Sequence, residues 1–339
     1  MSQPNNYRRT APGRPRRAAL YERLNAQIVE LREELDGLPS PAHAEQIWRG
    51  IWLEEAHNST AIEGNTLVLK QVEQLLSEGR AVGNKELSEY LEVQGYGDAA
   101  NWVYGQAIEP GEWTDGDLLS LAEVRHVHTL AMTPVWNVAP HPQATARERP
   151  GSFREHDIAP FPDGTTPPPW PEIPAAMRDW ITDAQALRDA DQASIIEDIA
   201  TLHGHFEQIH PFLDGNGRAG RLVLNLLLVR LGYPPAIVYK ADRPRYLQAL
   251  RCDKGDPSPL GELLARAVLD NLYRFVIPAL AGPDRLVPLQ ALATKDLSAN
   301  ALRVAATRGR LKATKSNDGA WRSSRAWVNQ YIQGRHARS

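Results

Sequence analysis

The sequence predicts a mainly α-helical protein, long enough for two to three domains. Three observations favour this fold class. Apolar residues recur every three to four positions along most of the 339-residue chain, which is the spacing of an amphipathic helix. No alternation of strands with helices is visible. Ten of the 26 prolines fall in the segment 135–174, which is typical of a loop. We expect at most a β-hairpin there.

Composition excludes several classes of protein. Hydrophobic residues make up 42% and charged residues 23% of the chain, as in ordinary globular domains. The longest strongly apolar stretch, 222–229, is far shorter than the roughly 20 residues of a membrane span, so we expect no membrane contact. The basic start of the chain is followed by no apolar core, unlike a signal peptide. Cys252 is the only cysteine, which excludes an intrachain disulfide and a multi-cysteine zinc site and fits the reducing cytoplasm.

Charge is distributed unevenly along the chain. Residues 1–21 hold five arginines and no acidic residue, and residues 284–339 hold eleven lysines and arginines against three aspartates. With a net charge of −3 overall, the body between them must be acidic. Any contact with nucleic acid is therefore expected at the termini. Residues 1–18 have almost no apolar content and are predicted to be a disordered basic arm.

Helical periodicity starts directly after this arm. Apolar residues predict a helix from Leu20 to Leu35, which Pro39 ends. The same pattern predicts further helices at 44–57, 69–76, 85–103, 115–132, 177–187, 194–209, 246–250 and 260–280. Residues 218–231 are apolar nearly all round and are followed by Gly232, so this helix should lie in the core. We divide the body into a helical region, 19–114, and a second domain, 115–280.

Chemistry concentrates in a twelve-residue segment between two of these helices, HPFLDGNGRAGR. Gly215 to Gly217 open a helix, so their amides can surround an anion such as phosphate. Arg218 and Arg221 are one turn apart and should project toward the same anion. Asp214 is an oxygen ligand suited to magnesium, and His210 can act as a general base. Each part alone is commonplace, but their joint occurrence favours a functional site.

The segment resembles the Fic family motif HxFx[DE]GNGRxxR at every specified position. The resemblance extends from about residue 58 to about residue 267. It implies a helical bundle with a β-hairpin flap, with 115–280 as the catalytic domain. It also implies an enzyme that transfers AMP from ATP to a Tyr, Ser or Thr hydroxyl of a target protein, with ATP as co-substrate and Mg²⁺ as cofactor.

The resemblance also implies a role for each site residue. His210 would deprotonate the target hydroxyl, and Asp214 would hold the metal. Arg221 would hold the γ-phosphate, and Tyr246 would lie near the adenine. The implied ATP-binding residues are Glu63, Gly215, Asn216, Gly217, Arg218, Ala219, Gly220, Arg221 and Tyr246.

A second family pattern lies upstream, at residues 59–64. Ser59 to Gly64, STAIEG, matches the inhibitory pattern [ST]xxxE[GN]. Ser59 and Glu63 are four residues apart and share a helix face, and Gly64 is a good stop signal. Read alone, the pattern is typical of a surface helix end. With the resemblance, it implies that Glu63 pairs with Arg221 and displaces the γ-phosphate, which would make the protein self-inhibited.

The family flap docks its target by strand addition. Residues 150–158, PGSFREHDI, resemble the start of that hairpin, although the proline-rich continuation leaves its end undefined. Trp170 follows, and we expect it to pack against the core rather than contact a substrate.

Residues 284–335 are predicted to form a winged helix-turn-helix-like domain. Leu289 to Ala293 suggest a short helix, and Ser298 should cap a second one. A hairpin is expected at 312–321, with its turn at Asn317 to Gly319, before a last helix that carries Trp327. The basic charge fits contacts with DNA phosphates. A protein-binding or homodimer module is an equal alternative.

Two other functions remain open beside AMP transfer. The chain could remove AMP from a protein, with Glu63 positioning water, or it could be a DNA-binding regulator whose body only senses a nucleotide. The target protein and the oligomeric state have no signal in the sequence.

Overall fold

The computed structural model describes residues 17–40, 45–108, 110–114, 116–161, 165–191, 194–252, 256–316 and 319–336. The predicted basic arm, 1–18, lies outside the described residues except for its last two positions. Those two residues form the start of the first helix, α1 (Arg17–Glu34), whose buried face begins at Leu20.

The N-terminal region is helical, as predicted. α3 (Leu69–Glu78) is followed by Gly79, which adopts φ 66° and whose amide donates a closing hydrogen bond to the Leu75 carbonyl at 3.0 Å. α2 runs to Ile62, five residues beyond the predicted end at His57. The extension places Ser59 inside the helix and Glu63 in the turn that follows it. The other helices of this region are α2 (Glu45–Ile62), α3 (Leu69–Glu78) and α4 (Leu87–Ile108).

Four further helices complete the centre of the fold. Ser120 accepts a hydrogen bond from the Glu123 amide, and the Glu123 carboxylate accepts one from the Ser120 amide. This reciprocal capping box fixes where α5 begins, six residues after the predicted start of the helix. The four helices are α5 (Leu121–Trp136), α6 (Ile173–Ala186), α7 (Ile195–Ile209) and α8 (Asn216–Arg230).

α8 is the central helix, as its apolar sequence predicts. Every residue from Arg218 to Val229 is buried, and the helix contacts α2, α4, α5 and α7. Its C-terminal end is fixed by a buried ion pair, in which Arg230 Nη2 lies 2.6 Å from Glu123 Oε1 on α5. α8 therefore cannot move without disturbing the whole body.

The proline-rich segment between α5 and α6 contains no strand in its described residues. The Phe161 amide donates a hydrogen bond to the Thr165 carbonyl at 2.8 Å. The strands of the predicted β-hairpin flap are thus absent from the part of this segment that the structure describes. Proline lacks the N–H that a ladder needs, which accounts for the irregular backbone. Trp170 is 42% exposed and is not among the side chains packed against the core, so the prediction that it packs against the core was wrong.

After α8 the chain completes the body and enters the C-terminal module. The body ends with α9 (Arg243–Cys252), α10 (Ser258–Asn271), a π-helical turn (Leu272–Val276) and α11 (Ile277–Leu280). The module contains β1 (Val287–Pro288), a 3-10 turn (Leu289–Leu292), α12 (Ala299–Thr307), β2 (Thr314–Lys315), β3 (Trp321–Ser323) and α13 (Arg325–His336).

The strands of the C-terminal module form one antiparallel sheet in the order β1-β3-β2. Thr314 pairs with Arg322 in the hairpin, whose predicted turn lies partly outside the described residues. Ser298 caps α12 by accepting a hydrogen bond from the Ala301 amide, as predicted. The module docks on α1 through ion pairs of Arg285 with Glu34, at 2.6 Å, and of Arg322 with Glu30. Its role as a winged helix stays a prediction.

The mainly α-helical fold class is confirmed. In the described part of the chain, no helix has both the length and the apolar character needed to cross a bilayer.

Candidate active site

His210 lies at the point where α7 ends. The backbone there turns into the left-handed region, with φ 50° and ψ 60°, and the following Pro211 cannot continue the helix. The His210 Nδ1 atom lies 3.3 Å from the Glu207 carbonyl. A proton on Nδ1 that points at this carbonyl leaves Nε2 as the basic nitrogen. Burial lowers the pKa of His210, so the ring is neutral near pH 7 and can accept a proton.

The loop from Pro211 to Gly215 is fixed by the side chains of Asn216 and His128. Asn216 accepts a hydrogen bond from the Phe212 amide at 2.9 Å and donates one to the Phe212 carbonyl at 2.8 Å. His128 stacks on the Phe212 ring and donates from Nε2 to the Asp214 carbonyl at 2.8 Å, because its Nδ1 accepts from the Gly151 amide. Burial lowers the pKa of His128 to about 4, which keeps the ring neutral. The two hydrogen bonds then fix a single tautomer.

Arg154 joins the same loop to the proline-rich segment. Its side chain is fully buried and donates to three backbone carbonyls: His210 at 3.0 Å, His156 at 3.0 Å and Pro168 at 2.6 Å. In addition, the Arg154 amide donates to the Pro211 carbonyl at 2.9 Å. Arg154 therefore positions His210 and Pro211, the two residues that follow α7. The sequence analysis did not single it out, because a lone arginine in a loop carries no local signal.

The exposed carboxylate of Asp214 and the buried guanidinium of Arg218 form an ion pair at the start of α8. Asp214 Oδ1 lies 3.1 Å from Arg218 Nη2 and accepts from the Gly215 amide at 2.6 Å. On its other side Arg218 donates to Glu92 of α4. Glu92 also accepts from Asn65 at 2.9 Å, so it connects Arg218 to the chain just after the inhibitory pattern. Glu92 is a second site residue that sequence reasoning missed.

Arg221 is held by the inhibitory pattern. Its Nε donates to Ser59 Oγ at 2.7 Å, and its Nη2 donates to the Ser59 carbonyl at 3.0 Å and to Glu63 Oε1 at 2.7 Å. Burial alone would raise the pKa of Glu63, but the Arg221 charge and hydrogen bond outweigh it and hold the pKa below its usual range. Glu63 is thus ionised at neutral pH. It occupies the Arg221 guanidinium, the group that the resemblance assigns to the γ-phosphate.

Gly217 faces the same carboxylate. A Cβ atom at this position would lie 2.4 Å from Glu63 Oε1, closer than real Cβ contacts come, and 3.1 Å from Arg221 Nη1, which is a tight contact. The absence of a side chain is therefore what allows Glu63 to reach Arg221 over the first turn of α8. Gly64, which adopts φ 115°, turns the chain away from the helix after Glu63.

A cavity of about 240 Å³ opens beside this pair. Its size suits a small ligand or part of a nucleotide. The charged and aromatic groups converge at one side, and leucines of α9 form another. The residues that line it are Glu63, Phe161, Thr165, Glu207, Gln208, His210, Gly217, Arg221, Tyr246, Leu247, Leu250 and Arg251.

Glu207 is a third residue that the sequence analysis missed. Its Oε1 is buried without a hydrogen-bond partner, and the nearest basic atom, His203 Nε2, is 4.0 Å away. Burial raises the pKa of Glu207 to about 7, so a large fraction of this carboxyl is neutral at physiological pH. Tyr246, by contrast, is 1% exposed and hydrogen-bonds His203 through its hydroxyl at 2.7 Å. It offers the cavity only its ring.

The structure brings together only part of the predicted nucleotide site. Arg218 and Arg221 were expected to converge on one anion, but each is paired separately, with Glu92 and Asp214 in one case and with Ser59 and Glu63 in the other. The Asn216 side chain clamps the loop, so only its backbone amide is available to an anion. Of the predicted ATP-binding residues, Gly215, Asn216, Arg218, Ala219 and Gly220 do not line the cavity.

Asp214 is the only predicted metal ligand. No group of three or more His, Cys, Asp or Glu side chains within the described ranges is placed to hold a metal ion. A single carboxylate, 47% exposed in its side chain and next to the N-terminus of α8, fits a magnesium ion that takes its other ligands from phosphates and water. It does not fit a resident metal held by protein alone.

The sequence comparisons concern the same part of the chain. Residues 118–228, which contain the His210 loop and most of α8, match the family model described as Fic/DOC family. The chain carries a Fic/DOC-family domain. It is 28% identical over 293 residues to "Protein adenylyltransferase Fic" of Aedes aegypti, covering 83% of this chain and 54% of that protein. It is 26% identical to the Nematostella vectensis protein of the same name, covering 84% and 62%. The chain thus spans only about half to three fifths of the length of these relatives.

Solved structures with a Fic domain share the fold. A Fic-domain-containing signaling protein from Bacteroides thetaiotaomicron superposes with a TM-score of 0.60 at 23% identity, over 77% of this chain and 95% of that one. Fic-1 of C. elegans, residues 134–508, gives a TM-score of 0.62 at 24% identity, over 76% and 72%. The predicted Fic-fold helical bundle is confirmed.

Proposed function

We propose that this protein is an adenylyltransferase that moves AMP from ATP to a hydroxyl of a target protein and is inhibited by its own Glu63. The observation that carries the proposal is the neutral His210 beside Arg221 and the N-terminus of α8. The relatives' name, protein adenylyltransferase, supports the same reaction.

The cavity and the adjacent start of α8 would together suit transfer at a phosphorus atom. The amides of Gly215 to Gly217 lie at the positive end of α8, where the phosphates of ATP would bind. Arg221 would hold the terminal phosphate once Glu63 has left it. The apolar wall at Leu247 and Leu250 would accept the base. A target hydroxyl would enter past Phe161, whose ring lies 5.2 Å from the His210 ring.

In the reaction, His210 Nε2 takes the proton of the target hydroxyl, and the freed oxygen attacks the α-phosphorus of ATP. The bond from that phosphorus to the bridging oxygen breaks, and pyrophosphate leaves. The products are an AMP phosphodiester on the target and a protonated His210. Mg²⁺, bound through Asp214 and the phosphates, would neutralise the charge of the leaving pyrophosphate.

Label transfer tests this reaction. With α-labelled ATP, the Glu63→Gly protein should label a target or itself, whereas Glu63→Gly with His210→Ala should label nothing. With γ-labelled ATP neither protein should label a target. Label from the γ-position would mean phosphate transfer and would reject the proposal.

Removal of AMP is the second candidate, because Glu63 and His210 line one cavity and a carboxylate there can position water. Incubation of an AMP-modified target with the wild type distinguishes the two: release of AMP that requires Glu63 would favour the hydrolase.

The C-terminal module, 284–335, is proposed to bind DNA or a protein partner, a second copy of the chain included. Several of its basic residues are already engaged, since Arg285 and Arg322 pair with Glu34 and Glu30 of α1 and Lys312 lies 4.1 Å from the centre of the Trp327 ring. Arg308 and Arg310 are exposed and would make the first phosphate contacts. A DNA-shift assay with both arginines replaced by alanine tests this. A cytoplasmic location also stays a prediction.

A further inference from the structure

Two helices of the site contact each other through polar groups at regular spacing. Glu55 and Ser59 of α2 and Glu63 in the turn that follows it are spaced four residues apart. Glu55 accepts from Asn225 of α8, whereas Ser59 and Glu63 both bind Arg221, which lies one turn nearer the N-terminus of α8. Residues four apart lie on one face of a helix. The segment that carries the inhibitory pattern is therefore attached to α8 at two successive turns, at Asn225 and at Arg221.

The contact farthest from the cavity is the most completely bonded. Glu55 is 3% exposed. Its Oε1 accepts from the Tyr96 hydroxyl at 2.7 Å and from Asn225 Nδ2 at 2.8 Å, and its Oε2 accepts from the Tyr104 hydroxyl. Burial raises the pKa of Glu55, against which these donors and the Arg221 charge act. A buried carboxyl with three donors tolerates little displacement.

The orientation of Asn225 is also fixed. Its Oδ1 accepts from the Ala236 amide at 2.8 Å, so its Nδ2 must face Glu55. Glu55 and Asn225 do not line the cavity, and about 12 Å of helix axis separates Glu55 from Glu63. This contact acts on Glu63 through the position of α2, and the Glu55 carboxylate also interacts with the Arg221 charge.

We propose that Glu55 is a positioning residue for self-inhibition: by fixing α2 against α8, it sets how firmly Glu63 holds Arg221 and hence how easily a nucleoside triphosphate displaces it. The inference rests on the proposed function only in taking Arg221 as the site of the terminal phosphate. A weaker Glu55 contact frees α2, so the ion pair opens more often while the nucleotide site itself is unchanged.

The test measures nucleotide binding by calorimetry, which does not require AMP transfer. Glu55→Gln keeps the shape of the side chain but places an amide N–H₂ where donors now converge. We expect this variant to bind ATP about tenfold more tightly than the wild type, with AMP affinity unchanged. In the Glu63→Gly background the same substitution should change ATP affinity by less than about twofold, because the Glu63–Arg221 ion pair on which Glu55 acts is then absent.

Tyr104→Phe provides a second, milder variant that removes one donor to Glu55. Tyr90→Phe is its matched control, since Tyr90 lies on the same helix and its hydroxyl donates to the Val82 carbonyl at 3.1 Å, away from Glu55. Tyr104→Phe should raise ATP affinity about threefold, and Tyr90→Phe should not. A purely structural role would lower the melting temperature in both without changing the ratio of ATP to AMP affinity.

The outcomes separate the two proposals. If Glu63→Gly does not improve ATP binding, Arg221 is not the phosphate site and the proposed self-inhibition fails. If Glu63→Gly improves ATP binding but Glu55→Gln and Tyr104→Phe both bind ATP as the wild type does, the role of Glu55 is overturned. An equal gain from Glu55→Gln in the two backgrounds would also overturn it.

Discussion

Replacement of Arg154 should damage catalysis more than its distance from the reacting atoms suggests. Arg154→Met keeps much of the side-chain volume but leaves the His210, His156 and Pro168 carbonyls without their donor. An unsatisfied buried carbonyl costs about 1–3 kcal/mol. Water can reach part of this loop after the change, so we expect a loss of about 3 kcal/mol in the free energy of unfolding rather than the full sum.

The His210 carbonyl is one of those three acceptors, so the ring should also lose its fixed position. A misplacement of about 1 Å can cost about 100-fold in rate. We therefore expect AMP transfer in the Glu63→Gly background to fall by at least about tenfold at a temperature where the variant is fully folded. Urea unfolding and label transfer measure the two quantities.

Arg125→Met is the matched control for this experiment. Arg125 donates once to the same segment, to the Gly151 carbonyl at 2.6 Å, and its guanidinium lies over the Phe153 ring. It makes no described contact with His210. Its loss should cost about 1 kcal/mol and leave the rate nearly unchanged. Equal losses of rate in the two variants, or an Arg154→Met protein as stable as the wild type, would refute this role for Arg154.

Three further changes test other parts of the structure. Raising the pKa of Glu207 from 4.5 to about 7 means that the folded protein binds this proton more tightly. Stability should therefore be full below pH 4.5 and fall by up to about 3 kcal/mol as pH rises through 7. Glu207→Gln should flatten that slope in urea titrations at pH 5 and 7.5; an unchanged slope would contradict the assignment. Glu123→Gln leaves the buried Arg230 charge without its partner and should cost about 3–5 kcal/mol by thermal melting; less than about 1 kcal/mol would mean that the pair is hydrated. Ser298→Ala removes the cap of α12 and should cost about 1 kcal/mol, seen as faster hydrogen exchange confined to that helix.

The helices were predictable because their signals are local. The apolar run of α8 and the stripe of α7 specify both helices without knowledge of their partners, and the glycine and proline that follow α8 mark its end. The loop between them was predictable as well, since its residues adjoin each other in sequence. Boundaries were less accurate. α2 ran on to Ile62 because tertiary contacts with α8 stabilise its last turn.

The supporting residues of the site had no such signal. Glu92 meets Arg218 across 126 positions, and Arg154 meets His210 across 56. Neither contact follows from spacing along the chain, because each depends on how distant segments pack. The predicted flap has no strands in the described residues of its segment, and the closely spaced prolines, which disfavour a ladder, account for this.

The most direct test of self-inhibited AMP transfer compares the wild type, Glu63→Gly, and Glu63→Gly with Arg221→Ala, using α-labelled ATP and a lysate that supplies targets. We predict little labelling by the wild type and strong labelling by Glu63→Gly. We predict the loss of that gain in the double variant, because Arg221 then cannot hold the terminal phosphate. Labelling by the wild type equal to that of Glu63→Gly, with ATP bound equally well by both, would contradict the account.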